Sequence, residues 1–455
     1  MQPKLRFLSC FLLSFFALCL SSGSIAQTPP QKQTLTALTK RLISVYNSND
    51  TSQYKTFAAT WAKDKSRITA FVQQFGREQA DLGAVRVRRI RIVSPTETEA
   101  LVQSLKYEAW WRVVVITDSL QRFKEHHMGL VRVTDEVLDS GLLTGGQISS
   151  NIDNYLKRQT KFDSFKGNVY VEKNGKAIYA KSFGLNADGK PNTFRQQFGL
   201  ASVGKLFTAI GILQLVDGGK LSLDNKIGTL LPGLRNKKLS AITLHQLLTH
   251  TSGMGDFFED PDFQKIMDSA KSSLTQVVNL QLSEAEAFLP FIEKDSLRFS
   301  PGTDWAYSNT GFELLGMVLE KTAGLSYKEY VSNFVFKPAG MTASVVGSGS
   351  GGGLSTVSDL DKFSQALRNN LLLSPPLTTK FLSFTQNGFY GYGSEHQMLG
   401  GEHITGHSGG FENVCNELNI YQHLGYTVVI LSNGNPPFGH FLSDKIKQLL
   451  VRKGK

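Results

Sequence analysis

The first pattern along the chain is an apolar run from Phe7 to Leu20, preceded by Lys4 and Arg6 and followed by the small residues Ser24-Ile25-Ala26. A cationic start, a short apolar stretch and small residues before the break predict a cleavable signal peptide over residues 1–26. The run is too short to span a bilayer comfortably. Further on, Leu35, Leu38, Leu42, Ile43 and Tyr46 recur with a helical period, and a second helical stretch covers roughly 54–75. After Gly83 the period falls to two, with Val85 and Val87 and then Ile90 and Ile92. Arg88-Arg89 breaks the phase, as a bulge would. Strand-like runs follow near 100–107, 111–117 and 123–133. Helices followed by a run of strands predict a small α+β domain over residues 27–142.

Leu142–Gln147 is the expected boundary, and a second domain runs over 146–452. It opens with a helical face of Ile148, Ile152, Tyr155 and Leu156, then a hairpin of 168–171 and 177–183 turned by Asn174-Gly175. Phe198–Ala201 reads as an unpaired loop entering a helix that is apolar on nearly every side: Leu206, Phe207, Ile210, Ile212, Leu213, Leu215 and Val216. Such a helix belongs in a core. Residues 254–300 are irregular, acidic and aromatic, as a lid or specificity region would be. Gly347–Gly353 has a linker's composition, but the folded pattern resumes at Leu354. Two strands, about 414–421 and 427–431, and a helix through Leu450 close the chain.

Charge and cysteine narrow the function classes. The net charge is +11, which would favour an anionic surface, but no basic cluster with interleaved aromatics points to nucleic acid. Cys10 and Cys19 lie in the leader without the small residues a lipid-attachment site wants, so Cys415 is the one cysteine left after cleavage, without a disulfide partner. No later run is apolar enough to anchor the mature chain in a membrane. A periplasmic or secreted protein is expected.

The candidate chemistry lies at the start of the apolar helix. Ser202 and Lys205, three apart, share a helical face. Apolar surroundings lower a lysine's pKa, and a neutral amine can take a serine's proton. The helix start favours a developing oxyanion. Ser52-Gln-Tyr-Lys55 repeats the pattern on a polar stretch and reads as solvated surface. Two other motifs compete. Gly406-x-Ser408-x-Gly410 matches the nucleophile elbow of α/β-hydrolases, although strand rather than helix follows it. Gly199-x-x-x-x-Gly204-Lys205 nearly matches a phosphate loop but has Leu206 where Ser or Thr is needed.

Ser202-Val-Gly-Lys205, Tyr307-Ser-Asn309 and His407-Ser-Gly409, in that order, resemble the signatures of the serine β-lactamase and penicillin-binding superfamily. Leu248-Thr-His-Thr-Ser-Gly253, Pro301-Gly302, Gly353-Leu-Ser-Thr356 and Leu431-Ser-Asn433 are similar to its class C, esterase and D-aminopeptidase branch. The resemblance implies an α/β (α+β) fold, an antiparallel sheet with flanking helices and a helical subdomain. It implies Ser202 as nucleophile, and Lys205 and Tyr307 as the proton-shuttling pair, with the first base left open. Asn309, His407 and Gly409 would bind substrate, and the N–H groups of Ser202 and Gly410 would form the oxyanion hole. His407 stands where β-lactamases carry a lysine and is mostly uncharged at neutral pH, which favours esters or short, D-amino-acid-containing peptides over β-lactams. The alternatives are β-lactamase or DD-peptidase activity, or a non-catalytic binding protein on the same fold. No cofactor, metal or nucleic acid is expected, and the oligomeric state stays open. Thr249-His250-Thr251 would shape the pocket indirectly, with His250 itself a packing residue, and Cys415 would be a core thiol.

The N-terminal order of elements resembles the nuclear-transport-factor and SnoaL-like cones. Such cones can hold a ligand, and Tyr107, Trp110, Trp111, His126 and His127 would either line that cavity or simply pack the sheet.

Overall fold

The computed structural model describes residues 29–120, 122–162, 165–269, 285–384 and 388–453. The expected signal peptide, and residues 270–284 of the expected lid, lie outside them. The chain forms two compact units: one of the residues up to Leu105 with Trp111–Leu130, the other of Lys106–Trp110 with those from Val131 onward.

The smaller unit has three helices, α1 (Pro29–Asn47), α2 (Thr51–Ala59) and α3 (Lys65–Leu82). They precede a sheet of β1 (Val85–Ser94), β2 (Glu97–Ser104), β3 (Trp110–Thr117) and β4 (Phe123–Val131) in sequential order. The single helix expected over 54–75 is two helices, because Asp64 caps a new start by accepting from Ser66 N at 2.8 Å. The bulge falls between Val87 and Arg89. Tyr46, Tyr54, Phe57, Phe71 and Phe75 pack with Val102, Val113, Val115 and Phe123 into a closed core. The void beside His126 is about 10 Å³, room for roughly one water. The five residues expected around a ligand cavity do not share one. His126 is buried against Phe71 and Phe75 and lies 3.2 Å from Glu78, His127 is exposed, and Tyr107 stacks on Phe441 in the larger unit.

The larger unit is built on a six-stranded sheet in the order β6-β5-β12-β11-β10-β9, each neighbour antiparallel. The strands are β5 (Gly167–Lys173), β6 (Lys176–Phe183), β9 (Glu395–Leu399), β10 (Glu402–Phe411), β11 (Val414–Tyr421) and β12 (Tyr426–Ser432). A short pair, β7 (Phe198–Gly199) with β8 (Leu354–Ser355), lies in the long helical insertion between β6 and β9. α4 (Gly145–Gln159) and the C-terminal helix Phe438–Leu450 pack together, and the latter lies on β11 and β12. The helix Val357–Arg368 also packs on β12 and β5, and α5 (Lys205–Asp217) is buried along nearly its whole length.

Two expectations change, and one strand has no counterpart among them. The boundary lies earlier than 142–146, because residues 131–142 are bonded into the larger unit. Arg132 pairs with Glu417 and Asp444, both at 3.1 Å, and Gln397 Nε2 donates to Val133 O. The stretch entering α5 is paired rather than loose, and Leu200 N donates to Gly353 O at 3.1 Å. β9, Glu-His-Gln-Met-Leu, carries no β-branched residue and gives little strand signal.

Candidate active site

Ser202 sits in a single 3₁₀ turn, Ala201–Gly204, that runs directly into α5. The residue before it, Ala201, has φ of 47°, a left-handed conformation that costs a residue with a Cβ energy. The glycine run holds it there: Gly352 N donates to Ala201 O at 2.8 Å, and a Cβ on Gly351 would lie 2.4 Å from that oxygen. The Gly347–Gly353 stretch is thus a backbone cradle for the serine's turn.

Lys205 is fully buried. Its Nζ is 3.3 Å from Ser202 Oγ and 2.5 Å from Asn309 Oδ1, and it donates to Ser350 O. The ammonium lies 4.8 Å from the centre of the Tyr307 ring. Burial pulls its pKa down to about 7, although Asp256, Glu313 and Glu395 act the other way. Near neutrality a large part of this amine is therefore free base.

Asn309 begins the helix Asn309–Ala323, whose N-cap Ser308 accepts from Gly311 N at 2.9 Å. Its Nδ2 and backbone N both donate to Asp256 Oδ2 at 2.8 Å, which leaves Oδ1 aimed at Lys205. Burial raises the Asp256 pKa, opposed by those bonds and by Lys205. One turn along, buried Glu313 accepts from Ser348 Oγ, Gly349 N and Ser350 N, tying the cradle to the same helix.

Tyr307 is clamped by His250. The His250 carbonyl accepts from Ala306 N at 2.9 Å, its Nδ1 accepts from Ser308 N at 3.1 Å, and its ring lies 4.3 Å from the tyrosine's. Burial, reinforced by Lys205 and His407, holds His250 well below its ordinary pKa, so it is neutral. Burial also raises the Tyr307 phenol well above 10, with the Ser202 hydroxyl opposing.

On β10, His407 is buried, with Nε2 at 3.0 Å from Tyr390 Oη and Nδ1 at 2.6 Å from Ser408 O. Burial lowers its pKa despite Glu395, so this position carries no fixed positive charge. A Cβ on Gly409 would stand 2.4 Å from Leu200 O, so only glycine lets β10 lie against the serine's turn. Gly410 follows on the same strand, and nothing lies closer than 3.5 Å to where its Cβ would be.

Ser202, Lys205, Tyr307, Asn309, His407 and Gly409 thus converge on one place. The competing motifs do not assemble. Ser408 lies inside β10 and donates to Glu395 Oε1 at 2.6 Å, with a hairpin rather than a helix after it. The lysine of the near phosphate loop is the buried Lys205. Ser52 and Lys55 are exposed on α2. Asp256, Glu313, Tyr390 and Glu395 went unrecognised in the sequence. Glu313 alone left a trace there, an acid four residues after Asn309 in an otherwise apolar run. Among the described residues, no group of three or more His, Cys, Asp and Glu side chains is placed to hold a metal ion.

The β-lactamase family model matches residues 166–453. The chain belongs to the β-lactamase family. Penicillin-binding protein 4* of Bacillus subtilis is 34% identical over 180 residues, 39% of this chain and 37% of that protein. The chain therefore matches little more than a third of that relative's length. The solved penicillin-binding protein of Bacillus halodurans is 27% identical, with a TM-score of 0.56 over 67% of this chain and 100% of its own. A D-amino acid amidase of Ochrobactrum anthropi shares the fold at 19% identity, with a TM-score of 0.55 over 66% of this chain and 98% of its own. The family assignment makes this unit a β-lactamase-fold member of the serine β-lactamase and penicillin-binding superfamily, a hydrolase family.

Proposed function

We propose that the protein is a serine hydrolase that works through an acyl-enzyme on esters or short peptides, D-amino-acid-containing ones included, and that it is exported. The observation that carries the reading is Lys205: a fully buried amine, 3.3 Å from Ser202 Oγ, with its pKa near 7.

In this reading Lys205, as free base, takes the hydroxyl proton while Ser202 Oγ attacks the carbonyl. Asn309 keeps the amine pointed at the serine. The backbone N–H groups of Ser202 and Gly410 receive the developing oxyanion. Tyr307 is protonated at neutral pH and gives its proton to the leaving group, recovering one through Lys205. A water then repeats the attack on the ester of Ser202, with the same groups acting in reverse. The division of labour follows from burial, which makes the amine a base and the phenol an acid. The neutral His407 supports donors that need no cation for a carboxylate, and the fold shared with a D-amino acid amidase supports D-amino-acid derivatives.

The test is labelling of the purified protein with a fluorophosphonate, followed by peptide mapping. Label on Ser202, absent from Ser202→Ala, is the expected result. Label elsewhere, or unchanged ester turnover in Ser202→Ala, overturns the reading.

A further inference from the structure

β10 pairs with β11 from Ile404 to Phe411 but has β9 on its other side for only part of its length. Glu402–Gly406 pair with β9, and the last pair is Gly406 with Glu395. Beyond it, His407–Phe411 pair with β11 on one side, and among the described residues no strand pairs with the other. That side is an open strand edge that begins at His407, and Gly409, two residues further along, touches the serine's turn. An extended acyl donor can add to such an edge with main-chain hydrogen bonds. The lane it would occupy continues the line of β9, and Glu395 stands where β9 begins.

The Glu395 side chain reaches along this edge. Its Oε1 accepts from Ser408 Oγ at 2.6 Å and lies 3.6 Å from His407 Nδ1, and the side chain remains 37% exposed. The other charged groups acting on His407 are Lys205 and Glu417. Lys205 is enclosed among its own partners, and Glu417 is held by Arg132 and His440. A ligand on the edge therefore meets the Glu395 carboxylate beside an uncharged His407.

We infer that Glu395 is a specificity-determining residue: it admits acyl donors with an ammonium or an uncharged group beside His407 and Ser408, and it rejects those with a carboxylate there. The inference rests on the serine-hydrolase reading and adds the charge class of its substrates.

The experiment measures the rate of covalent labelling of Ser202 by three matched phosphonate probes whose tails end in an ammonium, a methyl or a carboxylate group. The protein is used as wild type, Glu395→Gln and Glu395→Lys, with a thermal melt to verify folding. The glutamine keeps the bond from Ser408 and removes the charge. In the wild type the carboxylate probe should label about tenfold more slowly than the methyl probe, the scale of a partly screened pair of like charges. The gap should close in Glu395→Gln, reverse in Glu395→Lys and shrink in high salt. The same ranking and spread of the three probes in all three proteins overturns the role of Glu395. No Ser202 labelling by any probe overturns the serine-hydrolase reading, and this inference with it.

Discussion

Lys205 and Tyr307 differ in what burial does to them. Desolvation disfavours the charged form of each group, so the amine loses its proton more readily, with a pKa near 7, and the phenol holds on to its own. kcat/KM for a neutral ester should therefore rise with pH through about 7, as Lys205 loses its proton. No alkaline fall from Tyr307 is expected up to pH 10, and a profile flat from pH 5 to 9 would remove Lys205 from the base role. Tyr307→Phe should lower kcat by about 10²–10⁴, the range of a lost general acid, with thermal stability nearly unchanged. Lys205→Met should abolish turnover and remove from the melting temperature a pH dependence that the wild type shows above about pH 7. The sign follows from linkage: between about pH 7 and the ordinary lysine pKa the unfolded chain binds more protons than the folded one, so this residue's contribution to stability improves as pH rises.

Among the elements, the serine's turn depends on two backbones that approach it closely. Gly351 and Gly352 meet Ala201 from one side, and Gly409 meets Leu200 from the other. Gly409→Ala drives a Cβ to 2.4 Å from the Leu200 carbonyl, where strand or turn must move. It should cost about 1–3 kcal/mol and most of the activity, read by chemical denaturation and ester hydrolysis. The helical character of α5 could be read from its apolar run, and the three-residue spacing put Ser202 beside Lys205. The β5–β6 turn could be read from Asn174-Gly175. The cradle could not: Gly347–Gly353 has the composition of a flexible linker, and its role exists only because Glu313 and Ala201 lie on either side of it. The same holds for β9, which is a strand because β10 pairs with it.

For the molecule as a whole, the division into two units is not where composition changes. The glycine-rich stretch at Leu142–Gln147 looks like a boundary, yet Arg132 binds Glu417 and Asp444 behind the sheet that carries the site. Burial raises the Glu417 pKa, but Arg132 and then His440 outweigh it and hold the carboxyl far below its usual range. Arg132→Ala leaves a buried carboxylate without its guanidinium and should destabilise the larger unit by about 3 kcal/mol, measured by urea unfolding. A shift under about 0.5 kcal/mol would assign the pair the small value of a surface bridge. What the sequence determined alone was local or ordered along the chain: the periods of helices and strands, the turn at Asn174-Gly175, the Ser-x-x-Lys face, and the order of the three motifs that named the fold. Tertiary structure decided the rest. Asp256, Glu313, Tyr390 and Glu395 are ordinary polar residues in the sequence, and each acquires a role only from a partner more than ten residues away. An amphipathic period records which way a residue faces, but the meaning of a buried charge lies in what it faces.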